Sequence, residues 1–248
     1  MAVTLYKFGA QWGITDPSPF CVKLESFLRL NNIEFTLGDF DIKSTLNKAP
    51  KKKMPFVVFE DGRKMGDSTL IINHLSDANS IDMDAPLSAE QRTISYAFRR
   101  MLDEGFYFPA VYSRWADDIG WNAVMPIFFD GLPNFLKPLV SGKIRKDVIK
   151  MLNGQGTARH SKDEIYTAAE RDLQALSNLL GDNQWFFNTD QPTLLDIWTH
   201  AFVINCIIPP IETDLKTRSL KFTNLCDHAH RFEKLVYKTA SEEQTEAE

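Results

Sequence analysis

Ser18-Pro19-Phe20-Cys21 stands where a loop gives way to a helical pattern. A helix N-terminus carries unpaired N–H groups and a partial positive charge, so it favours a thiolate placed against it. A serine hydroxyl at that point can donate a hydrogen bond to a thiolate held by a ligand. A free thiol ionises near pH ~8.5, so such help raises the nucleophilic fraction at neutral pH. Ser18 can equally be a plain N-cap. Cys21 lies one turn further into the same helix. Met54-Pro55 directly precedes an apolar run. A proline can open a strand with the loss of one ladder donor. If its peptide bond is cis, the backbone ahead of it turns outward and can pair with an extended peptide, although trans is the ordinary state. Gly66-Asp67-Ser68 opens a second helical pattern. Asp and Ser can cap their own helix. They can also hold an amino-acid head group, the carboxylate taking an ammonium and the hydroxyl and helix amides taking a carboxylate.

The hydrophobic periodicity supplies the elements that position these segments. Val3 to Phe8 alternates as a strand does. Gly9 to Pro17 is a Gly-, Pro- and Asp-containing loop. Phe20, Leu24, Phe27 and Leu28 recur at helical spacing, with Ser18-Pro19 as start and Asn31-Asn32 as end. Ile33 to Phe40 and Pro55 to Glu60 read as strands, and Asp61-Gly62 as a hairpin turn leading to a short strand over 63–65. A helix follows Asp67-Ser68. The order is βαβ, then ββα, which fits a thioredoxin-like sheet with helices packed on it. Residues 79–87 are polar, aperiodic and hold a proline, as a linker does. Beyond them the pattern is helical: about Ser88 to Asp117, Asn122 to Leu152 with proline interruptions, Lys162 to Leu180, Thr193 to Ile208, and Leu215 to Lys238. The domain expectation is therefore 1–78, linker 79–87, helical 88–238 and a disordered polar tail 239–248.

No single motif is specific, but their order and spacing are. They resemble the N-terminal domain of glutathione transferases, and the segments SPFCVKLESFLRL and KMPFVVFEDGRKMGDSTLIINHL carry the resemblance most strongly. Thr193-x-x-Asp196 forms a capping box before an apolar helix, as the family has in its core, and its role there is folding. Within the superfamily the chain is most similar to the branch that holds metaxins and the failed-axon-connections proteins, some of which are better regarded as targeting or scaffold proteins. The resemblance spans roughly Val3 to Tyr237. It implies an α/β thioredoxin-like N-terminal domain plus an all-α C-terminal helical bundle. It also implies glutathione as co-substrate, with Ser18 at the thiol and Lys53, Met54, Pro55, Asp67 and Ser68 around the rest of the tripeptide. Trp12, Tyr107, Tyr112 and Trp115 are assigned to an acceptor pocket for a small-molecule electrophile, and a homodimer is implied.

Alternatives remain at the thiol. Tyr6 can play the donor role that some family members give to a tyrosine near the end of strand one. Cys21 can serve as a lone nucleophile in a thiol-disulfide or deglutathionylating enzyme, but serine at position 18 rules out a dithiol motif. An apolar helix face would bury Cys21 and leave it inert. A non-catalytic scaffold on the same fold is the other alternative. One of Lys51, Lys52 and Lys53 can meet a glutathione carboxylate, or the run can simply be solvated. His228-Ala229-His230 reads as a solvated helix face, and no metal is expected.

Composition bounds the rest. Formal net charge is -5, which argues against a nucleic-acid partner. Three cysteines do not make a disulfide framework and suit a reducing compartment. No apolar run reaches the ~20 residues a membrane span needs. The N-terminal residues lack a basic segment followed by an apolar core, so the cytoplasm is the expected location.

Overall fold

The structure, a computed structural model, describes residues 2–39, 41–129, 133 and 135–237 of the 248. Strand β1 (Val3–Tyr6) lies inside a four-stranded sheet of order β2-β1-β3-β4. It runs parallel to β2 (Phe35–Leu37) and antiparallel to β3 (Phe56–Phe59), which pairs with β4 (Lys64–Gly66) through the Asp61-Gly62 turn. Gly62 has φ +82°, the left-handed conformation that such a turn requires. Alternation sorts the strands' two faces. Val3, Leu5, Val57 and Phe59 join the main core with α1 (Pro19–Leu30) and α3 (Ser68–Asn79). Tyr6, Phe56 and Val58 face the other way, onto Leu46 of α2 (Ile42–Lys48) and Ala49 just after it.

Helix α1 departs from the amphipathic expectation. Every residue from Cys21 to Leu28 is buried, including Lys23, Glu25 and Ser26. The sheet covers one side and the helical region the other, so the polar side chains find partners inside. Lys7 pairs with Glu25, Arg29 reaches Glu25 at 2.8 Å, and Ser26 Oγ lies 3.0 Å from the Tyr237 hydroxyl.

The expected helix from Ser88 to Asp117 is continuous but not uniform. α4 (Ala89–Met101) and α5 (Tyr107–Val111) are each followed by a π-helical turn, at Leu102–Phe106 and Tyr112–Ala116. Asp117 then caps α6 (Asp118–Phe128), accepting from Ile119 N at 3.0 Å. Gly120 lets this corner close: a Cβ there would stand 1.8 Å from the Ser113 carbonyl oxygen. The expected single segment over 122–152 is divided between α6 and α7 (Lys137–Gln155), whose first turn holds Pro138. α8 (Lys162–Leu180), α9 (Leu194–Ile207), α10 (Asp214–Ser219) and α11 (Thr223–Val236) complete the bundle. The expected final helix is thus broken between Ser219 and Thr223, and the tail 239–248 lies outside the described residues.

The core of the bundle is α9, buried on nearly every side. Its capping box is formed: Asp196 accepts from Thr193 N at 2.7 Å and Thr193 Oγ1 at 2.8 Å. The same carboxylate also accepts from Phe186 N at 3.0 Å and lies 2.8 Å from His228 Nε2. This corrects the solvated reading of the His228-Ala229-His230 run. His228 is buried and bound to Asp196, and only His230 is exposed.

His200, also buried on α9, stacks on Phe232 at 4.6 Å and puts Nδ1 3.1 Å from the Ala229 carbonyl. Its Nε2 stands 3.0 Å from Glu233, off the line of a good hydrogen bond. Burial lowers its pKa below the ordinary 6.5, although Glu233 pulls the other way. The unfolded chain therefore takes up the proton first as pH falls, and stability is lost from about pH 6.5 downward to the depressed folded value. A thermal midpoint that declines between about pH 7 and 5, with a shallower decline in His200→Gln, is the expected result. An identical slope in the variant would remove His200 from the account.

Candidate functional site

Sheet register brings the three sequence segments to one end of the sheet. Tyr6 pairs with Phe56, and Phe56 with Gly66. Tyr6 ends β1 and leads to the loop before α1, Met54-Pro55 immediately precedes Phe56, and Asp67-Ser68 immediately follows Gly66. Cys21 in the first turn of α1 packs with Met54 and Phe56, which closes the group. The Met54-Pro55 bond is cis.

Ser18 occupies the N-cap position of α1, but its hydroxyl makes no capping bond. The loop that presents it is tightly built. Gln11 and Ile14 exchange two 3.0 Å backbone hydrogen bonds around Trp12 and Gly13, whose φ values are +55° and +79°. Asp16 is fully buried and accepts from Ser18 N at 2.8 Å and Gly9 N at 2.9 Å. Burial pushes its pKa up to about 6, against the pull of those two amides. Arg114, from the second π-helical turn, donates to the Pro17 carbonyl and to Asn205 O and Oδ1 at 2.6 and 2.9 Å. The helical bundle therefore grips the loop at the residue directly before Ser18. Sequence reading missed Asp16 and Arg114. Asp16-Pro17-Ser18 does carry a local signal, an aspartate bonding the amide two residues on; Arg114 has none.

Asp67 caps α3, its Oδ1 accepting from Thr69 N at 3.1 Å and Leu70 N at 3.2 Å. Its Oδ2 meets an ammonium, that of Lys51 at 3.3 Å. Asp67 adopts φ +87°, unusual for a residue with a Cβ. Ser68 is buried behind it. The lysine run is thus divided: Lys51 turns to Asp67, Lys52 bonds the Asn47 carbonyl at 2.6 Å, and Lys53 is exposed. Tyr6 stacks flat on Phe56 at 4.5 Å, its ring crowding Gly38, where a Cβ would come within 2.4 Å.

Cys21 is fully buried, and burial first, then Asp16, pushes its thiol well above the ordinary range. A thiol in that state is a poor nucleophile. In the native protein Cys21 is expected to resist iodoacetamide and to be alkylated only on unfolding, with peptide mass spectrometry as the check; rapid native labelling would contradict this.

Of the four aromatic residues assigned to an acceptor pocket, Trp12 and Trp115 meet through Phe128, at 6.0 and 5.4 Å between ring centres. Tyr107 contacts α1, edge-on to Phe20 at 4.8 Å. Tyr112 is not part of this group: it packs on Tyr166 at 5.9 Å, across the bundle. Trp121, which clusters with these residues in sequence, lies 6.2 Å from Trp115, and Phe128 was not anticipated. Trp12 Nε1 is buried with no hydrogen-bond partner among the described residues.

Comparison with known proteins gives a consistent family. The sequence model of the glutathione S-transferase N-terminal domain matches residues 19–120, and that of the glutathione S-transferase C-terminal domain matches residues 169–232. Isoprene-epoxide–glutathione S-transferase of Rhodococcus sp. (strain AD45) is 32% identical over 182 residues, covering 73% of this chain and 76% of that protein. Failed axon connections of Drosophila melanogaster is 28% identical over 208 residues, covering 80% of this chain and 49% of that protein. The crystal structure of a glutathione S-transferase from Methylobacterium radiotolerans, in complex with glutathione sulfonate, matches with a TM-score of 0.57 at 17% identity. It covers 94% of this chain and 91% of that one, a likeness that speaks for the fold. No helix among the described residues is long and apolar enough to cross a membrane.

Proposed function

Because the chain belongs to the glutathione S-transferase family, we propose that it binds reduced glutathione at the Tyr6-Phe56-Gly66 end of the sheet and activates its thiol for attack on an apolar electrophile. The observation that carries this reading is the Asp67 carboxylate. One oxygen is committed to capping α3, and the other is already turned to an ammonium. The α-ammonium of the γ-glutamyl group suits the same oxygen, with Ser68 and the start of α3 receiving its carboxylate. Met54, ahead of Pro55, takes the cysteinyl backbone, and Lys51 or Lys53 balances a ligand carboxylate. The thiol then lies by Ser18, whose hydroxyl is not spent on capping the helix.

The protein's work is positioning and electrostatic stabilisation. The thiolate sulfur forms a bond to an electrophilic carbon while the bond from that carbon to its leaving atom breaks, the electron pair departing with that atom. An electrophile of the epoxide class, like that in the name of the Rhodococcus relative, suits Trp12, Phe128 and Trp115 as an apolar wall. The ring oxygen leaves as an alkoxide and then takes a proton, and the unpartnered Trp12 Nε1 is a donor for it. The test is loss of glutathione thiol on incubation with small epoxides. Saturable turnover supports the reading, and binding without turnover on any electrophile tried contradicts it.

A second reading, a non-catalytic scaffold or binding protein on the same fold, is favoured by the 28% identity to failed axon connections of Drosophila melanogaster. Cys21→Ser separates a third reading: a Cys21-dependent thiol-disulfide enzyme would lose all activity in that variant, whereas a transferase would keep it.

A further inference from the structure

Lys23 has no exposed surface, although it stands on α1 only five residues beyond Ser18. Its ammonium lies 3.0 and 3.2 Å from the two oxygens of Asp103, on the first π-helical turn of the bundle. It also lies 3.2 Å from Thr69 Oγ1 in the first turn of α3, and 4.1 Å from the ring centre of Trp198 on α9. Asp103 Oδ2 accepts from Trp198 Nε1 at 3.0 Å and from Thr69 Oγ1 at 3.5 Å. Thr69 N donates in turn to Asp67 Oδ1 at 3.1 Å. Thr69 therefore joins a carboxylate of the helical bundle to the Asp67 carboxylate.

A buried ion pair is not needed for packing, since apolar side chains of similar volume often stabilise as well or better. What it supplies here is a fixed geometry where α1, α3, α9 and the π-helical turn meet. Asp67 needs fixing: a residue with a Cβ keeps φ +87° only where its surroundings hold it there.

We propose that Lys23 and Asp103 form an interdomain clamp that holds the first turn of α3, and through Thr69 the Asp67 carboxylate, in its ligand-receiving position. The proposal rests on the reading that glutathione binds at Asp67. Lys23 is a positioning residue, acting through Thr69. Glutathione affinity then depends on how the bundle seats against the sheet domain.

The test compares wild type with Lys23→Met and with Lys23→Met/Asp103→Asn, all as full chains. The single variant leaves a buried carboxylate without its cation and is expected to lose stability. The double variant removes both charges, keeps an acceptor for Trp198 and is expected to recover the wild-type thermal midpoint. In that folded double variant the Thr69 and Leu70 amides are expected to exchange hydrogen about tenfold faster without ligand, and the calorimetric Kd for reduced glutathione to rise about tenfold. Wild-type exchange and wild-type affinity in the folded double variant would overturn the clamp. Should wild type itself bind no glutathione, the exchange rates decide alone: faster exchange supports the clamp, and unchanged exchange overturns it.

Discussion

Asp67→Ala is expected to weaken glutathione binding by roughly 30- to 150-fold, a loss of about 2–3 kcal/mol, as one charged hydrogen-bond partner of a ligand ammonium disappears. Partial exposure of Asp67 keeps the figure below that of a fully desolvated pair. The alanine variant also removes the cap on Thr69 N and Leu70 N, which costs about 1 kcal/mol of stability. It puts a Cβ without a compensating bond at φ +87°. Asp67→Asn separates the two effects. Asparagine caps nearly as well and tolerates positive φ better than most residues, so the fold is retained while the charge is lost. Calorimetry on the asparagine variant should report most of the affinity loss with little change in thermal midpoint. Full affinity in Asp67→Asn would show that no ammonium sits at Oδ2.

Ser18→Ala is expected to lower kcat/KM about 10- to 100-fold while leaving glutathione affinity largely intact, because it deletes one hydrogen bond to a charged sulfur worth about 1.5–3 kcal/mol. The hydroxyl makes no cap bond, so the helix should not suffer from its loss. The sign of the pH dependence follows from the mechanism. Without the donor the bound thiol ionises at higher pH, so the defect is largest near neutrality and shrinks as pH rises towards about 8.5 and beyond, where the thiolate forms unaided. Thiolate ultraviolet absorbance of the complex reads the shift directly. A pH-independent defect would mean that Ser18 shapes the pocket instead of stabilising the charge.

Much of this was legible because the signals are local. The Asp61-Gly62 turn, the Thr193-Asp196 box and the alternation in β1 each depend on a few adjacent residues. The order Ser18, Met54-Pro55, Asp67-Ser68 exposed the candidate site, since sheet register lines up segments that follow or precede paired strands. What stayed hidden depends on distant partners. Lys23, Glu25 and Ser26 lie outside the apolar spacing of α1, and partners far away in sequence, among them Asp103, Lys7 and Tyr237, make their burial tolerable. Lys51 rather than Lys53 meets Asp67 because of how the chain turns at Pro50, Lys51 and Lys52, where Lys52 takes φ +54°. Tyr112 shares a helix with Trp115, but the π-helical turn between them alters the helical phase that spacing assumes. His228 looked solvated because its acceptor, Asp196, lies on another helix.

The most direct test of the central claim is a titration of isotope-labelled protein with reduced glutathione, followed by backbone amide NMR. The account predicts saturable shifts centred on the amides of Ser18, Met54, Asp67, Ser68 and Thr69, with little change on α10 and α11. No shifts at millimolar glutathione, or shifts centred away from that end of the sheet, would contradict it.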